Sequence, residues 1–330
     1  MKLKLIAAAL MATAVIAGAQ AQERIIKVGI GLTADHPQGQ AVEFFGKRVA
    51  ELSAGKMQVK LFAGGALGND VTMVSALQGG TQEMVVPDTG ALGAHVKEFG
   101  VINLPFTFNT GAEADKVLDG PFGQKLLAQL PAKGLIGLGY WENGFRHVTN
   151  SRRDIRTAAD FEGLKLRVIQ NPLYIETFKA LGVNATPMPF PEVFGALETK
   201  TVDGQENPAA TILASKFYEV QKNVVLSGHI YSVWVPLFSK KIWDTYSSAE
   251  QDILRKAAAE AQAYERVIIR AFDSGALQDL RTRGMTVTTL SPEEKAKVAE
   301  KLKPVVAALA KNISETAAAE MFAELAKARR

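Results

Sequence analysis

Arg167 is the residue whose type and setting carry the clearest chemistry. It stands in Gly163-Leu-Lys-Leu-Arg-Val-Ile-Gln-Asn-Pro172, where β-type alternation puts Leu164, Leu166 and Val168 on one face and Lys165, Arg167 and Ile169 on the other. If that second face lines a cleft, Arg167 becomes a buried or half-buried cation in need of an anion. A guanidinium meets a carboxylate through two parallel hydrogen bonds, a geometry that lysine does not reproduce. Taken alone, the residue is better accounted for by a surface arginine or an internal salt bridge.

Other chemistries find less support. The chain has no cysteine, which removes disulfides, thiolate nucleophiles, Cys-ligated zinc and iron–sulfur clusters. His36, His95, His147 and His229 are too dispersed for a metal-binding His pair on one helix. Gly29-Ile-Gly31-Leu-Thr-Ala34 follows a predicted strand and superficially fits a dinucleotide loop, but Asp35-His-Pro37 interrupts the place where the phosphate-binding helix should run. Gly55-Lys56 is followed by Met57, so the hydroxyl of a phosphate-binding P-loop is missing, and no G-x-S-x-G elbow occurs. A metal-dependent or paired-carboxylate enzyme stays open, because carboxylates supplied by distant loops leave no spacing signal.

The elements that must position these residues alternate between strand and helix, which predicts an α/β fold with a largely parallel sheet. Strands are expected over Ile25–Gly31, Gln58–Phe62, Met84–Val86, Leu135–Trp141 and Leu164–Ile169, with helical spacing over Val42–Leu52 and Val71–Leu77. Thr157 is placed to cap a short helical turn. Ser247-Ser-Ala-Glu250 is a capping box that opens a helix of about seven turns ending at Gly275. Ser291-Pro-Glu-Glu294 repeats the box and opens a last helical region to Lys327. No flexible linker separates independent domains.

Lys2 and Lys4, the apolar run Leu5–Ala17 and Ala19-Gln-Ala21 read as a secretory signal peptide over residues 1–21. The 38 Lys and Arg against 34 Asp and Glu give +4, and loss of the two leader lysines brings this to +2. Charges are interspersed, so no nucleic-acid partner is expected. The apolar stretch Val224–Phe238 is broken by Ser227, Gly228, His229 and Pro236 and is too short for a membrane span. An exported, soluble protein is expected, a monomer in the periplasm.

Several blocks along almost the whole mature chain resemble the solute-binding proteins of tripartite ATP-independent periplasmic (TRAP) transporters, the DctP family. They are His36-Pro37, Gly65-Ala-Leu-Gly-Asn-Asp70 and Asn103-Leu-Pro-Phe-Thr-Phe108, followed by Gly144-Phe-Arg-His-Val-Thr-Asn150 and Asp160-Phe-Glu-Gly-Leu-Lys-Leu-Arg-Val168. Met188-Pro-Phe-Pro-Glu-Val-Phe-Gly-Ala-Leu197 and Val202-Asp-Gly-Gln-Glu-Asn-Pro208 complete the set. The resemblance implies two α/β lobes joined by a hinge, a long helix spanning both, and a ligand enclosed between them. The lobes are expected at 22–145 plus about 233–272 and at 146–232 plus about 273–330.

The resemblance also implies a site. Its carboxylate-clamping arginine falls on Arg167 and the partner asparagine on Asn207. Phe190 matches a ring placed against ligand, Arg146 a second arginine that in some members contacts ligand, and Gln170 and Trp234 are further pocket candidates. No cofactor, metal or catalytic residue is implied. The implied partners are a small organic acid anion and the small and large membrane subunits of the permease.

Each candidate has a plainer reading. Asn207 before Pro208 suits a helix cap. Phe190, Phe194 and Trp234 suit the core, and Arg146 suits an ion pair within its own lobe. Glu206 suits a lobe-stabilising role, because a carboxylate beside a bound carboxylate repels it. His36 and His147 are expected in turns and at the surface. An arginine accommodates a C4 dicarboxylate, keto acid, sugar acid or aromatic acid, and a second cationic contact from Arg146 would point to a dianion. A carboxylate sensor that meets a signalling receptor and a periplasmic enzyme acting on organic acids remain as other readings.

Overall fold

The computed structural model describes residues 23–330, so the leader expected at 1–21 lies outside the described residues. The first sheet starts from β1 (Arg24–Gly29) and β2 (Met57–Phe62), parallel and in register from Arg24 opposite Met57 to Gly29 opposite Phe62. β3 (Met84–Val85) lies parallel on the other side of β1. Ile26 and Val28 are fully buried under the helix Pro37–Leu52, which contributes Val42, Phe45 and Val49. β4 (Leu135–Gly137) forms the far edge.

The strand expected over Leu135–Trp141 is two strands. Gly139 adopts φ 128°, and a β-carbon there would stand 2.2 Å from Gln262 Oε1. The chain turns at this point into β5 (Trp141–Phe145), which leaves the first sheet.

The second sheet is then built from β6 (His147–Asn150), β7 (Lys165–Val168), β8 (Asn184–Pro187), β9 (Gly204–Asn207) and β10 (Asn223–Leu226). The chain returns through β11 (Tyr231–Trp234), which pairs antiparallel with β5, and β12 (Leu237–Ser239) inserts between β3 and β4. β13 (Thr286–Thr289) later joins the second sheet beside β10. The orders are β2-β1-β3-β12-β4 and β13-β10-β6-β9-β7-β8. The stretch Val224–Phe238 is therefore strand material, and among the described residues no helix is long and apolar enough to cross a membrane.

Both sheets are mixed, where a largely parallel sheet was expected. β12 is antiparallel to β3 and β4, and β6 to β9 and β10. The reason lies in the connections: β6 and β12 each enter a sheet directly from a crossing strand and not through a helical crossover, which is what a parallel neighbour requires.

Ser247 caps the long helix Ser248–Thr282 as expected, its hydroxyl accepting from Glu250 N while the Glu250 carboxylate accepts from Ser247 N at 2.7 Å. The helix is 35 residues, roughly 50 Å at 1.5 Å per residue. It runs through Gly275, contrary to expectation, and ends before Gly284, whose φ is +91°. Mid-helix glycine costs only about 1 kcal/mol, and Ala276 and Leu280 beyond it are fully buried with Val193, Leu197 and Phe217. The N-terminal half instead packs Leu254, Ala257, Ala258 and Ala261 with the first sheet's Ile26 and Val28. One helix thus spans both lobes of a two-lobe α/β fold hinged at β5 and β11.

The last helical region, Pro292–Ala328, breaks at Ser314 (φ −172°, ψ 108°), whose hydroxyl caps the second segment by accepting from Ala317 N. Glu294 accepts from Ala158 N in the turn capped by Thr157, whereas Glu320 pairs with Lys125 and Arg329 with Glu113. The two segments therefore dock on different lobes.

Candidate ligand-binding site

Alternation in β7 does what it predicts: Leu164, Leu166 and Val168 are fully buried core, while Arg167 and Ile169 line an interlobe cavity and Lys165 is exposed. Arg167 is 3% exposed. Its Nε donates to Met188 O at 2.9 Å, and its guanidinium carbon lies 5.8 Å from the centre of the Phe190 ring. The two terminal nitrogens make no hydrogen bond among the described residues, and no carboxylate lies within ion-pair distance. Burial lowers its pKa to about 10, so the group stays charged at neutral pH. A buried fork with both prongs unfilled is a receptor for a planar anion.

Asn207 ends β9 opposite His147 of β6. Its orientation follows from Arg146, which can only donate. Arg146 Nη2 donates to Asn207 Oδ1 at 3.0 Å, so the Asn207 amide donates to Gln205 Oε1 at 2.6 Å. Gln205 Nε2 then donates to Thr149 Oγ1, which donates to Gln221 Oε1. This chain leaves the second amide N–H of Asn207 without a partner in the wall that holds Arg167. The following helix starts at Ala209 with no side-chain cap, so the capping alternative for Asn207 does not apply.

Arg146 is 1% exposed and sits between β5 and β6, where the chain crosses lobes. It lines the cavity but is matched: Nε reaches Glu206 Oε2 at 2.5 Å and Nη2 reaches Glu206 Oε1 at 2.8 Å and Glu206 O at 2.7 Å. Ser232 Oγ accepts from Nη1, and Asp88 Oδ2 is 3.6 Å away. Burial works against both charges, but the pairing outweighs it, raising the Arg146 pKa and lowering that of Glu206. Glu206 also receives His229 Nε2 at 3.2 Å. The lobe-stabilising reading of Glu206 fits this geometry.

Phe190, Gln170 and Trp234 complete the candidates on the wall. Phe190 opens a short turn and packs 6.0 Å from Phe217, and Gln170 is at the exposed rim. Trp234 is 3% exposed and meets His36 edge-on at 5.4 Å. Phe194 packs against Phe217 in the core, away from the cavity.

The histidines differ from expectation. His36 does sit at a turn, but it is fully buried: Nδ1 accepts from Gln38 N to cap the first helix, and Nε2 meets Thr211 Oγ1 at 3.2 Å across the cleft. Burial lowers its pKa to about 3, so it is neutral. His147 lies in β6, partly buried, and accepts from Gly228 N. Both ring nitrogens of His36 are claimed, by the backbone and by the opposite lobe, and Nδ1 of His147 by the Gly228 backbone, which draws the rings inward.

Sequence reasoning missed the facing wall, built by Gln38, Asp70, Asp88 and Asn143. Asp88 follows the carboxyl end of β3 and Asp70 opens the helix Asp70–Gly79. The available signal was topological, since ligands of open α/β sheets sit beyond the carboxyl ends of strands. Asp88 caps Gly90 N at 2.7 Å and accepts from Asn143 at 2.8 Å, and burial raises its pKa. Burial raises that of Asp70 to about 7.

The family model described as DctP, bacterial extracellular solute-binding protein, family 7, matches residues 28–312. The 2,3-diketo-L-gulonate-binding periplasmic protein of Escherichia coli is 36% identical over 80% of this chain and 80% of its own. The C4-dicarboxylate-binding periplasmic protein DctP of Rhodobacter capsulatus is 32% identical over 96% of this chain and 95% of its own. The solved sugar acid binding protein of Advenella mimigardefordensis, in complex with galactonate, superposes with a TM-score of 0.92 at 48% identity, covering 93% of this chain and 99% of that one. With this match over nearly its whole described length, the chain belongs to the DctP family of bacterial extracellular solute-binding proteins.

Proposed function

We propose that this protein is the periplasmic solute-binding subunit of a TRAP transporter, which captures a small organic acid anion between its lobes and delivers it to the membrane permease. The observation that carries the proposal is Arg167: 3% exposed, charged, and without an anionic partner in an interlobe cavity. Enclosure strips water from the ligand carboxylate, and that loss is offset by donors already held in place, the Arg167 fork and the free N–H of Asn207. Phe190 and Trp234 supply apolar walls and Gln170 a rim contact, while Arg146 acts through Asn207. No chemistry on the ligand is required. If the closed form binds better than the open one, ligand shifts the population toward closure, and the permease reads the closed shape.

The lobes are 22–145 plus 233–272 and 146–232 plus 273–330, with the segment after Ser314 returning to the first lobe, as its pairs with Lys125 and Glu113 support. The leader at 1–21 is removed on export, and the mature chain acts as a monomer.

Galactonate is the first probe, because the 48% identical neighbour holds it, with succinate beside it and galactitol as the uncharged control. The mature chain is unfolded and refolded to remove carried-over solute, then titrated by calorimetry. Wild type binds an acid and not the alcohol. Arg167→Ala loses about 30- to 1,000-fold in affinity, in line with truncated buried charge pairs. Near-native affinity in that variant would overturn the proposal.

A further inference from the structure

The wall that faces Arg167 carries acceptors and no free cation. Asp70 Oδ2 accepts from Asp88 N at 3.1 Å, whereas Oδ1 has no donor. Asp70 Oδ1 stands 3.4 Å from where a β-carbon on Gly31 would be, and both residues line the cavity. In the same wall Gln38 is 1% and Asn143 4% exposed, and Gln38 Oε1 and Asn143 Oδ1 are likewise without a donor. Asp88 lies behind, with both oxygens taken by Gly90 N and Asn143. Arg146, the other cation in the cavity wall, is matched to Glu206, with Asp88 beside it.

Three acceptors without donors set the chemistry of the far end of the ligand. A hydroxyl group donates to such a wall. A second carboxylate brings acceptor against acceptor, and charge against charge wherever Asp70 is ionised, where little water is left to screen them. An aliphatic tail leaves the acceptors dehydrated and unpaired, which is the arrangement that rejects analogues lacking a hydroxyl most strongly.

Resting on the carboxylate-binding reading above, we propose that this first-lobe wall selects the ligand, with Asp70 as its specificity-determining acceptor, so that the protein takes polyhydroxylated monocarboxylates and rejects acids with a second, distal carboxylate.

Galactonate, galactarate and hexanoate separate the possibilities: they share chain length but differ in the distal carboxylate and the hydroxyls. Calorimetry on the refolded mature chain should rank galactonate above both others by at least about 10- to 100-fold, the range of one or two unsatisfied buried groups. Asp70→Asn keeps the acceptor for Asp88 N but removes the charge, and should reduce the galactonate-to-galactarate ratio by about tenfold or more. Gly31→Ala, which adds a methyl beside Asp70 Oδ1, should weaken galactonate more than the three-carbon glycerate. Wild type binding galactarate or hexanoate as tightly as galactonate overturns the proposal, and so does an unchanged ratio in Asp70→Asn together with equal effects of Gly31→Ala on both acids. If wild type binds none of these acids and no other carboxylate, the underlying carboxylate reading fails with it. That outcome is distinct from wild type binding carboxylates indiscriminately, which sinks the Asp70 wall alone.

Discussion

Replacing Arg146 by Met tests whether this arginine is structural, as its contacts indicate, or a direct ligand contact. The substitution keeps an unbranched chain of similar girth and removes the partner of Glu206, which is 0% exposed. Glu206 would lose a two-pronged ion pair and a donor to its carbonyl, keeping only His229 Nε2 at 3.2 Å. An uncompensated buried carboxylate of this kind costs about 3 to 5 kcal/mol. The deficit depends on pH with a definite sign. In wild type the Glu206 pKa is depressed, so its contribution is present above the unfolded value near 4.5 and is lost as pH falls through the folded one. The variant lacks that contribution, so its deficit is largest at neutral pH and shrinks in acid, as Glu206 or His229 takes up a proton. Urea unfolding followed by the fluorescence of Trp141 and Trp234, both in the crossing strands, reads this directly. The double variant Arg146→Met/Glu206→Leu should recover to within about 1 to 2 kcal/mol of wild type, because an apolar pair often replaces a buried ion pair without loss. It should bind ligand only about tenfold more weakly, through the freed Asn207 amide. A single variant within 1 kcal/mol of wild type, or a folded double variant that loses carboxylate binding as completely as Arg167→Ala, would refute the reasoning.

Three further outcomes follow from the same geometry. Asp70 is held near pKa 7 against an ordinary 3.8, so the folded protein binds an extra proton in that window and stability falls as pH rises through it. Asp70→Asn should therefore be more stable than wild type above pH 7 by roughly 2 to 4 kcal/mol, less whatever water in the cavity screens, and should converge with it near pH 4; parallel urea midpoints across that range would count against it. Asn207→Ala removes one donor from the cavity and breaks the amide chain to Gln221, so carboxylate affinity by calorimetry should fall about 5- to 50-fold with Tm nearly kept, whereas an unchanged affinity would remove Asn207 from the clamp. Gly204→Ala would push a methyl to 1.9 Å from Thr149 O, between β9 and β6; we expect a loss of at least about 3 kcal/mol in urea unfolding, and a near-neutral result would mean the strands separate easily.

What the sequence made legible was local. The starts of the long helices were readable because a capping box joins a residue to one three positions on, as Ser247 and Glu250 do. Alternation put Arg167 on the face opposite Leu164, Leu166 and Val168, but its burial was not readable, because the cleft that covers that face is closed by residues of the other lobe. The end of the spanning helix was not readable either, since its course through Gly275 is set by Ala276 and Leu280 meeting a core assembled from residues far away in sequence. Nor was the partner of Arg146: Glu206 is 60 positions away and reaches it only because β6 and β9 pair. The acceptor wall was invisible for the same reason, as Gln38, Asp70, Asp88 and Asn143 come from four separate elements, two helix starts, the loop after β3 and the middle of β5.

Ligand binding couples to closure through where the matched and unmatched polar groups sit. The charges that must stay matched in every state, Arg146 between β5 and β6 and Glu206 in β9, lie beside the crossing strands, where a hinge rotation displaces atoms least. Neutral hydrogen bonds join the lobes directly, His36 with Thr211 and Asn171 with Gly90 O, beside the longer ion pair of Arg146 with Asp88 at 3.6 Å. The unmatched groups, by contrast, stand on opposite walls: Arg167 on the second lobe, and Asp70, Gln38 and Asn143 on the first. Closing the cleft empty takes water from both sets and returns only part of what was lost, since unpaired polar groups are costly to bury. A ligand with an acid at one end and hydroxyls at the other supplies each wall with what it lacks. Its differential affinity for the closed form is then a property of the two walls together, and a population shift requires that difference. Removing either wall's chemistry should therefore weaken closure as well as binding, because in this arrangement the ligand completes the interface between the lobes.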